Sequence, residues 1–278
     1  MSRISSSLLT FAASLLTLAS CDEKPSLTEP ETIAPAAPAF AIAANSWASK
    51  ASMPTARCLR AAGGLTNASG QAILYAIGGD VKCGSSDPVT SVEAYNVATN
   101  TWRTRAPLPA RLFELNQAAV IGKKIYVTGG LVEPEFPFSL VSALFVYDQV
   151  TNTWTRKSDM PSAGYAVTSG VAGVINGKLY VLNGFTYTPC EGDCGETRPD
   201  FYRYDPATDT WISSKDLGRP IPPCPGGHEL GSAAVINGKF YVAGGRWGNG
   251  ISNKLHVYDP VTNSWTEKAR PLRRRWGT

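Results

Sequence analysis

The chain has 278 residues, of which 43% are hydrophobic, enough to build one large or two ordinary globular domains. Glycine (26), proline (20) and tryptophan (7) are plentiful and no long amphipathic helical pattern is present, which favours many short strands joined by turns. The formal net charge is +4, and the basic cluster at residues 273–275 has no interleaved aromatic residues. We interpret that cluster as a solvated loop and expect no nucleic-acid partner.

Residues 1–20 are typical of an export signal. Arg3 precedes the apolar run LLTFAASLLTLAS, which is too short for a membrane span and fits the hydrophobic part of a signal peptide. The run ends in Leu-Ala-Ser-Cys21, which resembles a bacterial lipobox, where the cysteine is lipidated and the preceding segment is removed. An ordinary signal peptide with an incidental cysteine is the alternative. The sequence thus predicts an exported bacterial lipoprotein on the periplasmic or cell-surface side of the envelope, held to the membrane by a lipid anchor alone.

Residues 21–44 are predicted to be a flexible tether. The stretch is rich in proline, alanine, glutamate and threonine and offers few side chains that could pack. The folded domain is therefore expected at residues 45–278.

Four segments of this domain repeat a tyrosine and a tryptophan seven residues apart. They are YNVATNTW (Tyr95–Trp102), YDQVTNTW (Tyr147–Trp154), YDPATDTW (Tyr204–Trp211) and YDPVTNSW (Tyr258–Trp265). Each follows an apolar strand that ends in glycine, such as KIYVTGG. Successive tryptophans lie about 52 to 57 residues apart, a period typical of propellers and other repeat arrays.

Each repeat is predicted to contain four strands, a to d. A two-residue turn joins strand a to strand b, a loop of variable length leads to strand c, and the Asp-Pro-x-Thr-Asn turn precedes strand d, which begins at the tryptophan. In this arrangement Tyr147 and Trp154 are cross-strand partners on one face of the sheet. A unit of this size cannot bury both faces of its own sheet, so the units are expected to stack radially as a β-propeller.

The glycine pair, the tyrosine, the tryptophan and the following Met/Leu-Pro dipeptides (Met53-Pro54, Leu108-Pro109, Met160-Pro161) resemble the kelch repeat over residues 45–278. Two departures are local: Asn183 replaces a repeat glycine, and Pro-Pro-Cys224-Pro follows the third tryptophan. The resemblance implies an all-β, kelch-type β-propeller with four complete four-stranded blades. An extra N-terminal strand around Trp47 has no blade of its own, which predicts an open or incomplete ring and a truncated chain. A genuine four-bladed ring is the alternative.

Ligand binding is predicted on the face where the d–a and b–c connections emerge, because the b–c loops vary while the opposite turns are nearly constant. The side chains with chemical character expected on this face are Arg57, Arg60, Arg111, Glu114, Tyr165, His228, Glu229, Arg246 and Trp247. The resemblance implies that arginines preceding strand a contact the ligand, which applies to Arg57 and Arg111. A role in propping the loops is the alternative for both.

The sequence predicts no catalytic residue, no metal and no cofactor. Adjacent residues His228 and Glu229 point to opposite faces of a strand, and His256 is expected to pack within its blade. The two histidines are therefore not expected to converge as the copper radical oxidase of the kelch family requires. We interpret the chain as a module that binds an unknown protein or glycan. A carbohydrate-active enzyme resembling the sialic-acid mutarotase of the family is the alternative.

Five cysteines remain besides Cys21, an odd number for an oxidising compartment. Cys58 and Cys83 are expected on the same face and are candidates for a disulfide. Cys190 is a candidate partner of Cys194, and one of the two is alternatively a partner of Cys224. A zinc half-site at Cys190 and Cys194 has no matching second pair or histidine nearby in the sequence.

Overall fold

A computed structural model describes residues 47–58, 61–82, 87–132, 139–140, 142–161, 168–182, 184–187, 195–216, 221–247 and 250–268. The chain divides into a unit of residues 1–48, of which Trp47 and Ala48 are described, and a unit from Ser49 to Thr278. The predicted signal peptide and tether, including Cys21, lie outside the described residues. Among the residues described, none forms a helix of the length and apolarity that crossing a membrane requires.

The regular elements of the described ranges are all β-strands, most of them five residues long. In chain order they are β1 (Ala61–Thr66), β2 (Ala72–Ile77), β3 (Val92–Asn96), β4 (Thr101–Arg105), β5 (Leu112–Phe113), β6 (Ala119–Ile121), β7 (Lys124–Thr128), β8 (Leu131–Val132), β9 (Ser139–Leu140), β10 (Leu144–Asp148), β11 (Thr153–Lys157), β12 (Val171–Ile175), β13 (Lys178–Leu182), β14 (Phe185–Tyr187), β15 (Gly195–Thr197), β16 (Phe201–Asp205), β17 (Thr210–Ser213), β18 (Ser232–Ile236), β19 (Lys239–Ala243), β20 (Arg246–Trp247), β21 (Gly250–Ile251), β22 (Leu255–Asp259) and β23 (Ser264–Lys268).

Sixteen of these strands form four antiparallel four-stranded sheets, the four predicted blades. Blade 1 is β1-β2-β3-β4, blade 2 is β6-β7-β10-β11, blade 3 is β12-β13-β16-β17 and blade 4 is β18-β19-β22-β23. In every blade the strands follow the predicted order a, b, c and d. The b–c loops form the smaller sheets β14-β15 and β20-β21, and β8 and β9 of the blade 2 loop form a third sheet with β5 of the d–a connection. The all-β propeller fold with four complete blades is therefore confirmed.

The repeated tyrosine and tryptophan are cross-strand partners, as predicted. Tyr147 of β10 lies opposite Trp154 of β11, with 5.2 Å between the ring centroids, and the same pairing recurs in the other three blades. The ring of Tyr147 also lies 5.4 Å from that of Tyr75 in blade 1. Because such rings bury a large apolar area, this contact joins one blade to the next.

The turn between strands c and d adds a polar connection between neighbouring blades. Asn152 adopts φ = 55°, the left-handed region that asparagine tolerates. Its Oδ1 accepts hydrogen bonds from the Tyr147 hydroxyl at 2.8 Å and from the Ala106 N–H, in the preceding segment, at 3.0 Å. The Trp154 Nε1–H donates to the Ala106 carbonyl at 2.9 Å. The turn of blade 3 makes equivalent contacts, so each turn orders its own hairpin and holds the segment before it.

Residues 49–57, which precede blade 1, make these same contacts without forming a strand. The Ala51 N–H donates to Asn100 Oδ1 at 2.8 Å, and the Ala51 carbonyl accepts from Trp102 Nε1 at 2.8 Å. Ala51 therefore makes the same two hydrogen bonds to the c–d hairpin of blade 1 that Ala106 makes to the c–d hairpin of blade 2. Residues 47–57 carry no strand, since none of the described residues supplies a strand c beside them. The predicted extra strand is thus a hydrogen-bonded segment and not a paired strand.

The outer faces of the first and last blades each carry an exposed apolar side chain that no described residue covers. Ile175 of β12 is 2% exposed, whereas Ile236 at the same position of β18 is 51% exposed. Blade 4 packs over blade 3, but no described residue packs over blade 4 in the same way. At the other end Leu74 of β2 is exposed, whereas Ile125 at the same position of β7 is buried against blade 1. The expected open ring is confirmed for the described blades.

Candidate functional site

The segments that lead into strand a are held to the b–c loops by short backbone pairings. In successive blades the pairs are Cys58 with Asp80, Phe113 with Leu131, Thr168 with Phe185 and Glu229 with Arg246. The d–a and b–c connections therefore lie on one face, as the repeat predicts, and the loops emerge from a hydrogen-bonded base. A face built in this way can present variable side chains in fixed positions.

Three residues of this face have left-handed backbone. Glu114, Ser169 and Leu230 have φ values of 53°, 53° and 56° and directly follow the paired residues of blades 2, 3 and 4. This conformation costs roughly 1–2 kcal/mol for a residue other than glycine. It aligns the backbone so that the Ser169 N–H donates to the Glu114 carbonyl and the Leu230 N–H to the Ser169 carbonyl, each at 3.0 Å. These hydrogen bonds between blades stabilise the strained conformation.

Ser169 and Leu230 also line a central channel of about 310 Å³. Its described lining is Ala62, Leu115, Gln117, Ser169, Gly170, Val171, Leu230, Gly231 and Ser232, from the start of strand a in all four blades. Beside it, the buried Asn116 amide donates to Thr128 Oγ1 at 3.0 Å and accepts the Gly170 N–H at 2.7 Å. Sequence reasoning missed this channel, because its lining is mostly backbone and small side chains without a motif.

Arg57 lies beneath the face and not on it. Its side chain is fully buried and its Nη1 lies 3.1 Å from Glu93 Oε2 of strand c. It also donates to Ser91 Oγ at 2.8 Å and to the Ala76 carbonyl at 3.2 Å. This geometry favours the loop-propping alternative for Arg57 over direct contact with a ligand.

Arg111 lies on the surface of the face. Its Nη2 lies 2.9 Å from Asp87 Oδ1 in the b–c loop of blade 1, and both side chains are more than half exposed. Glu114 is half-buried. Arg111 therefore joins the loops of blades 1 and 2 and remains accessible to a ligand.

Arg246 and Glu229 form the polar edge of blade 4. Arg246 Nη1 lies 3.6 Å from Glu229 Oε1, and Glu229 Oε2 accepts a hydrogen bond from Thr197 Oγ1 at 3.3 Å. The arginine is half-exposed and the glutamate is buried. Across the β20–β21 hairpin, Arg246 is paired with Ile251, whose side chain is 91% exposed. An accessible cation thus lies beside an accessible aliphatic group.

His228 and His256 converge, contrary to the sequence-based expectation. The segment carrying His228 crosses strand c, so that His228 Nε2 lies 2.7 Å from His256 Nδ1 inside the blade. Cys224 Sγ lies 3.8 Å from the same Nδ1, and all three side chains are buried. Burial lowers the pKa of both histidines and raises the pKa of Cys224 to about 12. His228 is therefore neutral at pH 7. Because its side chain is buried inside the blade, it also does not reach a ligand on the face.

The remaining sequence candidates are only partly visible. Five of them lie outside the described residues: Arg60, Tyr165, Cys83, Cys190 and Cys194. Trp247 lies in β20, and its side chain is outside the described part of the structure.

Cys58 is in a disulfide, and Cys224 is a free thiol. Since Cys224 is the other cysteine described, the partner of Cys58 lies outside the described residues. The predicted pairings of Cys58 with Cys83 and of Cys190 with Cys194 stay predictions.

The chain is similar to known kelch proteins. Residues 115–274 match the family described as KLHDC2/KLHL20/DRC7 Kelch-repeats domain, and residues 65–109 match the Kelch motif. Kelch-like protein terF of Aspergillus terreus is 29% identical over 204 residues, which cover 72% of this chain and 42% of that protein. Kelch repeat and BTB domain-containing protein 12 of Danio rerio is 33% identical over 211 residues, 71% of this chain and 32% of the relative. Kelch-like protein 15 of Homo sapiens is 26% identical over 245 residues, which cover 82% of this chain and 36% of that protein.

The chain thus spans about a third to two fifths of the length of these relatives. The matched regions contain the four Tyr–Trp hairpins and the blades that they build. Sequence and architecture agree on the same repeat, and the chain belongs to the kelch-repeat family.

Proposed function

We propose that this propeller is a binding module that recognises a protein through the face formed by its d–a and b–c connections. The observation that carries the proposal is the exposed Ile251 beside the half-exposed Arg246 on a paired hairpin. Leu230 adds a second accessible aliphatic side chain at the channel rim. Arginine and apolar groups held on a rigid base are typical of the residues that dominate protein interfaces.

A glycan ligand is the second candidate that the sequence raised, and the test below separates the two. The nine described residues that line the channel include no titratable side chain, so the geometry gives the mutarotase-like alternative no support. The kelch fold by itself assigns no activity, because function depends on the side chains placed on a fold.

We expect Ile251→Asp to weaken ligand binding at least about tenfold, because a charge would replace an accessible apolar contact. Val261→Asp is the matched control, since Val261 is also 91% exposed but lies in the c–d turn on the opposite face. The probes are the best binder from a displayed random peptide library and the best binder from an immobilised glycan panel. Dissociation constants are measured for the wild type and both variants.

A peptide probe that loses affinity with Ile251→Asp and keeps it with Val261→Asp supports the proposal. Glycan binders without peptide binders would replace the protein ligand by a sugar. Equal effects of the two variants, or no binder from either library, would refute the assignment of this face.

We further propose that the module is exported and anchored through Cys21. The support is the lipobox-like sequence together with the disulfide at Cys58, since disulfides persist mainly in oxidising compartments. The curated relatives named above come from a fungus and from vertebrates, so the support for a bacterial lipoprotein comes from this chain alone.

Expression of the full chain in a bacterium that processes lipoproteins tests the anchor. The wild type is expected to incorporate labelled palmitate and to partition into detergent, and Cys21→Ala is expected to do neither. Labelling that persists in Cys21→Ala would show that the lipid is carried elsewhere, and an unlabelled, water-soluble wild type would disprove the anchor.

A further inference from the structure

Blade 4 contains a buried group of three metal-binding side chains that the proposed binding function does not use. Cys224 comes from the segment after blade 3, His228 from the segment leading into β18, and His256 from β22. One donor atom of each lies within 4.8 Å of the donor atoms of the other two. Thiolate and imidazole are the ligands that Zn²⁺ prefers in proteins.

The hydrogen bonds fix the tautomers of the two rings. His228 Nδ1 lies 2.7 Å from the Gly244 carbonyl, which can only accept, so this nitrogen carries the proton and His228 Nε2 has a free lone pair. That lone pair faces His256 Nδ1 at 2.7 Å, so without metal His256 Nδ1 must donate to it. A neutral His256 then has no proton on Nε2.

This arrangement leaves an unfavourable contact inside the blade. His256 Nε2 is buried and has no hydrogen-bond partner among the described residues. Glu267 Oε2, which also accepts a hydrogen bond from Lys254 Nζ at 3.0 Å, lies 3.7 Å away. A nitrogen lone pair and a carboxylate repel each other, and a buried polar atom without a hydrogen-bond partner is unfavourable.

Replacing the proton between His228 Nε2 and His256 Nδ1 by a metal cation removes the repulsion between His256 Nε2 and Glu267. His228 Nε2 and His256 Nδ1 then both act as ligands, and the His256 proton moves to Nε2, where it can donate towards Glu267. Each ligating histidine would have an outer partner, the Gly244 carbonyl for one and a carboxylate for the other, as metal-bound histidines usually have. The thiol proton of Cys224 leaves to solvent as the sulfur binds, so that charge and protons balance.

The distances suit a zinc ion after a small movement. Zinc bonds of roughly 2.0–2.3 Å place tetrahedral nitrogen and sulfur donors roughly 3.3–3.6 Å apart. The Cys224 Sγ–His256 Nδ1 distance is already 3.8 Å, and the two ring nitrogens at 2.7 Å must separate by roughly 0.6 Å. A Cβ on Gly226 would lie 3.1 Å from the His256 ring, so glycine lets this segment cover the site closely.

Equivalent positions of blades 1 and 2 show that the fold does not itself require these residues. Where blade 4 has Cys224, His228 and His256, blade 1 has Met53, Arg57 and Glu93 and blade 2 has Leu108, Leu112 and Phe145. Blade 1 fills the position with an ion pair and blade 2 with apolar side chains. Of these three blades, blade 4 alone gathers three metal donors there.

We propose that Cys224, His228 and His256 bind one Zn²⁺ per chain, with a fourth coordination position left for solvent or another ligand. The site lies under the candidate binding face and ties the segment after blade 3 to strand c of blade 4. Its occupancy is expected to stabilise blade 4, whose outer face is covered by none of the residues that the structure describes.

The test uses the full chain purified without a histidine tag. We expect one equivalent of zinc to remain after dialysis, zinc to raise the melting temperature, and Co²⁺ to give the thiolate charge-transfer and intense visible bands of a tetrahedral site. Cys224→Met copies the residue of blade 1, so it should fold, lose the thiolate band and bind zinc at least about 100-fold more weakly, beyond the 10–100-fold typical of losing an outer partner.

The double variant His228→Arg, His256→Glu transplants the blade 1 ion pair and is expected to fold without a response to zinc. Glu267→Gln is expected to weaken zinc binding about tenfold, as the loss of an outer partner does. A wild type that takes up no zinc, or a Cys224→Met variant with unchanged affinity and cobalt spectrum, would overturn the proposal. Those results would make the histidine pair a structural replacement for the ion pair of blade 1.

Discussion

Tyr147→Ala is expected to lower the free energy of unfolding by about 3–5 kcal/mol, the range for removing a large buried aromatic side chain. Tyr147 is fully buried, contacts Tyr75 of blade 1 and Trp154 of its own hairpin, and donates from its hydroxyl to Asn152. Domains are stable by only about 5–15 kcal/mol, so such a loss removes a large part of the total. Urea unfolding followed by tryptophan fluorescence and by circular dichroism measures the effect.

Two further variants separate the contributions at this position. Tyr147→Phe keeps the ring and removes the hydrogen bond to Asn152, so we expect a loss of about 1 kcal/mol. Trp47→Ala removes an aromatic side chain that is 99% exposed, and we expect a change within about 0.5 kcal/mol. If Tyr147→Ala were no more destabilising than Trp47→Ala, the repeated pair would not be the contact that holds the blades together.

Arg57→Ala is expected to cost about 3–5 kcal/mol of stability, because it leaves the buried Glu93 carboxylate without its cation. Arg111→Ala is the matched control. The Arg111–Asp87 ion pair is slightly shorter than the Arg57–Glu93 pair, 2.9 Å against 3.1 Å. The side chains of Arg111 and Asp87 are 56% and 62% exposed, however, whereas those of Arg57 and Glu93 are 0% and 4% exposed. Exposed pairs contribute at most about 1 kcal/mol, since water screens them, so we expect little change. Urea unfolding compares the two variants under the same conditions.

The double variant Arg57→Leu, Glu93→Phe copies the apolar pair of blade 2 and tests the cause. It is expected to recover part of the loss, because replacing both ions removes the unpaired charge. Thr55 Oγ1, which donates to Glu93 at 2.7 Å, would still lose its acceptor. An Arg57→Ala variant as stable as the wild type but defective in binding would return Arg57 to the ligand contacts and disprove its structural role.

Local sequence patterns predicted the strands and turns well. Tyr147, Asn152 and Trp154 act within one hairpin, and their spacing specifies both the turn and the cross-strand pair. The turns at Asn176-Gly177 and Asn237-Gly238 have positive φ at both residues, as a tight hairpin between strands a and b requires. These features depend on residues close in the chain, so the sequence contains the needed information.

The candidate sites were harder to predict, because they depend on how distant segments cross. Arg57 was expected at the loops, but the segment that carries it runs under the b–c loop and buries it against Glu93. His228 and His256 are 28 residues apart, and only the packing of the d–a segment over strand c brings the rings together. An alignment of the four repeats with one another offers a signal, since His228 and His256 occupy the positions of Arg57 and Glu93.

For this protein, the amino-acid sequence determined the repeat, the four blades and the aromatic contacts between them, because hairpin chemistry and strand alternation act over a few residues. The tertiary structure decided which charged side chains are buried and which are accessible on the binding face. It also decided that Cys224, His228 and His256 meet in blade 4. Burial and the meeting of donor atoms depend on contacts between segments far apart in the chain, which the spacing of residues along one strand does not specify.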